Sequence, residues 1–320
     1  MTTRLSLRKC FADTALELAS ADPSVVVLVG DISHGIFADF RSKLSHRYFN
    51  VGIMEPAMAS IAAGLAMTGL KPIVHTIAPF LIERSFEQLK LDFGYQKLAA
   101  MFVSVGGAFD YSNLGCTHHS YIDISMVSSI DEAKVCAPAT ETELRALMHE
   151  SLRKWSGLTY IKLTENGSKG APTSPQVKIG MPIKVRDGGM NLAIISLGPT
   201  FFEVEQAVDL VSGLGHYPAH IHFHTFQPID FPTLDKMLGS VSSVLVVEQL
   251  HSGNGLAAKL AVSDSLAPEI TFVSQGISGF LRDYGSYEEL LVGARLDSAS
   301  IAERVIELAN NQLARQEDQV

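Results

Sequence analysis

Phe49-Asn50-Val51-Gly52-Ile53-Met54-Glu55-Pro56-Ala57-Met58-Ala59 sets one carboxylate among apolar residues, directly ahead of an alanine-rich run. Removing a carboxylate from water is costly unless it is protonated or paired, so Glu55 is expected to have a raised pKa and a specific hydrogen-bond partner. The run behind it, Ile61-Ala62-Ala63-Gly64-Leu65-Ala66, reads as a close-packed helix. Upstream, residues 5–20 place apolar side chains at helical spacing, and Asp22-Pro23 ends that helix before Val25-Val26-Val27-Leu28-Val29. Unbroken Val and Leu imply a strand covered on both faces. Downstream the pattern predicts a strand over Lys71 to Thr76, a helix from Phe80 to Phe93, strands at 99–105, about 132–137 and 158–163, and a helix from Glu141 to Trp155. Strands alternating with helices predict a parallel α/β sheet.

The stretch Asn166-Gly167-Ser168-Lys169-Gly170-Ala171-Pro172-Thr173-Ser174-Pro175 concentrates turn residues and marks a boundary. Beyond it, Asn191 to Leu197 reads as a buried strand, Phe202 to Leu214 as a helix, and Ala219 to Phe226 as a strand. Val244 to Glu248 is a further strand, leading into the turn Ser252-Gly253-Asn254-Gly255. The expected fold class is therefore α/β, with two consecutive parallel-sheet domains over residues 1–165 and 186–320 joined by a linker at 166–185.

With 320 residues and 47% hydrophobic content the chain can fill two cores. An excess of 34 acidic over 25 basic side chains, with no Lys or Arg cluster, argues against nucleic acid as a partner. Cys10, Cys116 and Cys136 are odd in number and widely spaced, which suits a reducing compartment and offers no zinc spacing. Met1-Thr2-Thr3-Arg4 opens no signal peptide, and no apolar run approaches the roughly 20 residues that span a bilayer. A cytoplasmic location is expected, leaving the sequon Asn166-Gly167-Ser168 idle.

Several residues invite chemistry. Asp31 follows a strand at the carboxyl end of a parallel sheet, where ligands gather; it orients a ligand or caps the turn. His118-His119 brings imidazoles suited to proton transfer near neutral pH, against the alternative of a polar loop. Arg84 and Gln88 stand four apart on one helix, bracing a pocket or subunit interface, or forming a solvated pair. His220, His222 and His224 recur with period two, but no adjacent carboxylate or Cys completes a metal site.

Leu7-Arg8, Val29-Gly30-Asp31, Gly52-Ile53-Met54-Glu55, Phe80 with Arg84 and Glu87-Gln88, and Thr117-His118 together resemble the pyrimidine-binding domain of transketolases and their thiamine diphosphate-dependent relatives. Ile194-Ile195-Ser196-Leu197-Gly198, Phe226-Gln227-Pro228-Ile229-Asp230, and Val246-Val247-Glu248 with Gly253 and Gly255 resemble the transketolase C-terminal domain. The resemblance implies that Glu55 contacts the aminopyrimidine of thiamine diphosphate, where a proton-sharing carboxyl favours the imino form that removes the thiazolium C2 proton. It implies Phe80 as the stacking ring, with Phe86 as the alternative, and Ile53, Asp31 and Arg84 as further cofactor contacts. Ile53 and Met54 are expected to wall a low-dielectric pocket. His118 takes the Thr-His position facing the substrate, His119 assists as a second catalytic imidazole, and Arg8 is a substrate contact.

The family's Gly-Asp-Gly…Asn motif for magnesium and diphosphate does not occur: Gly30-Asp31 is followed by Ile32, and Asp187-Gly188-Gly189 offers no frame for it. The resemblance then implies a split enzyme, whose other subunit carries the diphosphate-binding domain and the Mg2+ ligands, in a two-plus-two heterotetramer. Sugar-phosphate contacts expected of a transketolase are replaced in Ser104-Val105-Gly106-Gly107-Ala108-Phe109 and Tyr160-Ile161-Lys162-Leu163-Thr164-Glu165. Lys162 is the candidate replacement, while Glu165 would repel a phosphate dianion. The implied activity is transfer of a ketol or acyl unit from a ketose or 2-oxo donor to an aldehyde. Two alternatives remain: the beta subunit of a 2-oxo acid dehydrogenase, and a non-catalytic regulatory or scaffold subunit. Thr117-His118 favours the transferase over the first, and the intact pair Glu55 and His118 argues against the second.

Overall fold

The runs of Val, Ile and Leu become the inner strands of two sheets. The computed structural model describes residues 7–165 and 177–317; positions 166–176 of the expected linker lie outside the described residues. The strands are β1 (Val25–Val29), β2 (Tyr48–Asn50), β3 (Lys71–Ile77), β4 (Ala100–Val105), β5 (Lys134–Cys136), β6 (Leu158–Leu163), β7 (Ile183–Arg186), β8 (Leu192–Leu197), β9 (Ala219–Phe223), β10 (Thr225–Gln227), β11 (Ser243–His251) and β12 (Thr271–Ile277). A seven-stranded sheet has the order β10-β5-β6-β4-β3-β1-β2, and a five-stranded sheet the order β12-β11-β8-β9-β7. All neighbouring pairs are parallel except one at an edge of each sheet, β10 on β5 and β7 on β9. Strands β1, β4, β6 and β8 are buried along their whole length, the burial that unbroken apolar runs require.

The single strand expected over 219–226 is two strands in different sheets. β9 pairs with β8 in the second sheet, whereas β10 crosses to the edge of the first. His224 sits at the switch, where its carbonyl accepts from the Ala137 amide at 2.9 Å. The halves are also joined by packing. One apolar cluster runs from Leu28, Met58 and Phe102 beside the first sheet to Ile195, Phe223 and Val246 in the second. Full burial of each such side chain is worth roughly 1.5–3 kcal/mol.

Two local features position the site. The helix Glu55–Met67 begins with Glu55 and Pro56 in its first turn, where a fixed φ and a negative charge both suit a helix N-terminus. The helix expected from Phe80 to Phe93 is broken into wider turns. Pro79–Glu83 and Leu89–Tyr95 are π-helical around a short α turn at Phe86–Gln88, with Arg84 N donating to Pro79 O at 3.1 Å and Gln96 N to Leu91 O at 3.2 Å. Such widened turns re-aim side chains and recur at functional sites. Among the described residues no helix is long and apolar enough to cross a membrane.

Candidate active site

The first sheet delivers its loops to one end. After β2, Val51 N donates to Val29 O at 3.0 Å, and Gly52 turns with φ +74°, a value that favours glycine. Gly52 N donates to Asn50 Oδ1 at 3.0 Å, and the chain enters the helix at Glu55. Glu55 is 1% exposed, and its partner is Arg84, whose Nη1 donates to Oε2 at 2.8 Å. The Arg84 guanidinium also lies 4.4 Å from the centroid of Phe80, a cation–π contact. Phe80 in turn meets His118 edge-on, with centroids 5.1 Å apart. Glu55, Arg84, Phe80 and His118 thus form one continuous line of contacts.

His118 is half-buried between Phe80 and Tyr111, whose ring centroid lies 5.7 Å away, and its Nδ1 shares a hydrogen bond of 2.9 Å with Thr117 Oγ1. Burial lowers its pKa, favouring the neutral imidazole that can accept a proton. His119 is 4% exposed, and burial lowers its pKa too. The Tyr111 backbone faces its ring, but neither ring nitrogen completes a hydrogen bond.

A buried polar network fastens this loop from beneath. Ser120 Oγ donates to Glu83 Oε1 at 2.8 Å, tying the loop to the turn that carries Phe80 and Arg84. Lys162 Nζ donates to the Ser120 carbonyl and to Asp123 Oδ1, each at 2.7 Å. Tyr160 donates to the other Asp123 oxygen at 2.5 Å and is bonded to Ser104 at 2.7 Å. Burial raises the pKa of Glu83 and pushes the Tyr160 phenol well above its ordinary value. A network satisfied in this way is rigid, because each member would be costly to leave unpaired.

The remaining candidates sit apart from that line. Asp31 has φ +54° and accepts from Asn50 Nδ2 at 3.0 Å, with His34 Nε2 at 3.1 Å; the Asn50 and His34 contacts lower its pKa. Arg8 is committed to Glu165, with which it forms an ion pair, and to Ser33 Oγ at 2.8 Å. Lys162, the sequence's candidate phosphate ligand, is buried in its pair with Asp123. Ile53 and Met54 are 70% and 58% exposed, so the apolar wall expected of them is not formed within this chain. They lie in the turn leading to the helix, where the chain has already left the sheet.

Phe86 packs at the margin of the apolar core, and the ring contacts to Arg84 and His118 are made by Phe80. Asn50, Glu83, Tyr111, Ser120 and Asp123 carry no local sequence signal, since their site contacts are made by tertiary folding. Two of the three histidines have carboxylate neighbours that the local sequence does not show. His220 Nδ1 lies 2.7 Å from Glu205 Oε1 and His222 Nε2 lies 3.3 Å from Glu143 Oε1, brought there from other elements. Even so, no group of three or more His, Cys, Asp or Glu side chains among the described residues is arranged to hold a metal ion.

Comparison with known proteins bears on the family and the fold. The pyrimidine-binding domain of transketolase matches residues 3–167. A 1-deoxy-D-xylulose-5-phosphate synthase from Chlorobium luteolum is 28% identical over 311 residues, covering 94% of this chain but 48% of the synthase. The chain thus spans about half the length of such curated relatives. An uncharacterized 33.6 kDa protein of the fasciation locus of Rhodococcoides fascians is 32% identical over 245 residues, covering 76% of this chain and 75% of that one. Among solved structures, a split gene transketolase described as an inactive beta4 tetramer superposes with TM-score 0.82 at 23% identity, covering 95% of this chain and 97% of the other. A Pichia stipitis transketolase mutant superposes with TM-score 0.78 at 14% identity. The chain belongs to the transketolase family, through its pyrimidine-binding domain.

Proposed function

We propose that this chain is one subunit of a split, thiamine diphosphate-dependent transketolase-like enzyme that transfers a ketol or acyl unit from a ketose or 2-oxo donor to an aldehyde. The observation that carries this reading is the line Glu55–Arg84–Phe80–His118, which sets a buried carboxylate, an aromatic ring and an imidazole in sequence at the end of the first sheet. The donor set fits an aminopyrimidine. Glu55 offers a carboxylate whose Oε2 is held by Arg84, and Phe80 offers a half-buried ring to a flat heterocycle. When bound, thiamine diphosphate supplies a nucleophilic carbon at its thiazolium C2.

The chain's own residues then have distinct tasks. With thiamine diphosphate bound, Glu55 would hold a proton at an aminopyrimidine ring nitrogen, and Arg84 fixes the direction of that carboxylate. His118, kept neutral by burial and aligned by Thr117, accepts or returns a proton at the substrate oxygen. Ser120, held by Glu83 and Lys162, sets the height of the His118 loop. Arg8 and Glu165 neutralise each other, which favours unphosphorylated or differently charged carbonyl substrates over phosphosugars. The partner subunit supplies the diphosphate-binding domain and the Mg2+ ligands, and residues 1–165 and 186–320 act as the pyrimidine-binding and C-terminal-like domains. Purified chain is expected to bind thiamine diphosphate weakly and to turn over only when mixed with a chain carrying that domain. Full turnover by this chain alone with Mg2+ would refute the split-enzyme reading.

A further inference from the structure

The histidines of β9 belong to a buried chain of polar groups that joins the two halves of the molecule. It begins at Glu143, in the first turn of the helix Glu141–Arg153, and runs through His222, Ser196 and His220 to Glu205 on the helix Phe201–Ser212. The contacts are 3.3 Å from Glu143 Oε1 to His222 Nε2, 2.9 Å from His222 Nδ1 to Ser196 Oγ, 2.8 Å from Ser196 Oγ to His220 Nε2, and 2.7 Å from His220 Nδ1 to Glu205 Oε1. His220, His222 and Ser196 have no exposed surface, and Glu143 almost none.

Four contacts need four hydrogens, one in each. Two neutral imidazoles bring one N–H apiece, the serine brings one O–H, and the ionised carboxylates bring none. The chain is one proton short, so one contact must be empty. Geometry identifies which one. Three contacts have hydrogen-bond geometry, whereas His222 Nε2 and Glu143 Oε1 are both buried without a hydrogen-bond partner. The hydrogens are then ordered: His222 Nδ1–H donates to Ser196, Ser196 O–H to His220 Nε2, and His220 Nδ1–H to Glu205. The bare Nε2 of His222 faces a bare carboxylate oxygen.

We propose that the Glu143–His222 contact is a one-proton binding site, and that filling it fastens the pyrimidine-binding half to the C-terminal half. The proton adds to His222 Nε2 and turns a contact between two lone pairs into an ion pair across the seam, 3.3 Å from nitrogen to oxygen. The surrounding groups suit a single proton. His224 leaves its own Nε2 without a hydrogen bond and couples to Glu143, but burial lowers its pKa to about 4, as it does that of His220. Burial opposes ionisation of Glu143, yet His222 and His224 offset it and hold the carboxyl below its usual range. Glu205 is held down to about 2 by His220 and Arg186 against the effect of burial, and Glu150 is the other acid felt at His224. Phe201 packs on both rings, with centroids 5.6 Å from His220 and 4.8 Å from His222, closing the site to water.

Imidazole nitrogen NMR of the full chain tests this, independently of any activity. At about pH 8, above the unperturbed imidazole value, His222 is expected as the Nδ1–H tautomer, gaining a second proton at Nε2 on acidification. Glu143→Gln can place an amide N–H in the gap, so in that variant His222 should stay a neutral Nδ1–H tautomer over the range in which the wild type titrates. Ser196→Ala removes the group that orders the hydrogens, so His222 should switch to the Nε2–H tautomer at high pH. An Nε2–H tautomer in the wild type at high pH overturns the proposal. So does a His222 titration identical in wild type and Glu143→Gln.

Discussion

Glu55 and Glu248 are both buried carboxylates that stand at the beginning of a helix, and they have opposite fates. Glu248, on β11, accepts from the backbone amides of Leu256 and Ala257 at 2.5 and 3.3 Å and from Ser274 Oγ at 3.2 Å. A Cβ on Gly255 would stand 2.3 Å from its carboxylate. Each oxygen is engaged by fixed donors, and the space around them is closed. Among the described residues Glu55 has a single side-chain partner, Arg84, which is itself 46% exposed, and the turn before it presents Ile53 and Met54 outward. Burial alone therefore does not separate the acid proposed to serve the cofactor from a structural one. What separates the two is whether the surroundings are complete within the chain: Glu248 finishes a local structure, and Glu55 faces an unfinished one.

The largest effect expected from this contrast is on chemistry at Glu55. Glu55→Gln keeps the shape and one acceptor but loses the exchangeable proton, so folding and the Tm of the chain should change little. In the reconstituted enzyme, exchange of the thiazolium C2 proton should slow by about 10²- to 10⁴-fold, or roughly 3–5 kcal/mol on the barrier. An unchanged exchange rate would place Glu55 with Glu248, as a structural acid.

Glu248 should show itself in stability against pH instead. Burial raises its carboxyl to about 7 from an ordinary value of 4.5, and the backbone amides only partly counter this. The folded chain then holds a proton that the unfolded chain has already lost. Stability from this group is complete below the unfolded value and declines as pH rises through that window, by roughly 3 kcal/mol at one pKa unit per 1.36 kcal/mol. Denaturant unfolding of wild type and Glu248→Gln across the window should show the difference between them changing with pH and levelling above it. A difference independent of pH would mean that the amide donors keep Glu248 ionised.

Gly255→Ala is a smaller and more local perturbation. The added methyl meets the Glu248 carboxylate and must displace it from the amides it serves, a cost of about 1–3 kcal/mol typical of overpacking. Equilibrium unfolding measures it. A neutral result would show that the pocket around Glu248 is looser than its contacts indicate.

The sequence made some of this legible and hid the rest for physical reasons. Unbroken apolar runs such as Val25–Val29 and Leu192–Leu197 can be covered on both faces only in a layered α/β fold, so the strands could be read locally. The crossing of Thr225–Gln227 to the other sheet could not. Its partner, Lys134–Cys136, lies far back in the chain, and alternation across His220, His222 and His224 continues smoothly through the switch. Glu55, Phe80 and His118 are singled out through the family resemblance, and the need of a buried acid for a partner is evident from the residues themselves. That the partner is Arg84 depends on the π-helical turn at Pro79–Glu83, which periodicity alone does not reveal. The pairing of Arg8 with Glu165 joins residues near opposite ends of the first half, so the sequence offered Arg8 as a free cation when folding consumes it.

The smallest effect expected on the isolated chain sharpens the contrast from the apolar side. Ile53 and Met54 contribute little buried surface, so replacing both with Ser should leave the stability of the isolated chain within about 0.5 kcal/mol, as for other exposed positions. The same replacement should weaken assembly with the proposed partner, because burial of each of those side chains in an interface would be worth on the order of 1.5–3 kcal/mol. Unfolding of the isolated chain and the Kd of the reconstituted complex are therefore expected to respond differently. Loss of stability in the isolated chain would mean that the surroundings of Glu55 are already complete without a partner. Unchanged affinity would mean that the apolar turn faces solvent in the assembly, so that Glu55 must acquire its low-dielectric surroundings from the cofactor and the groups behind it.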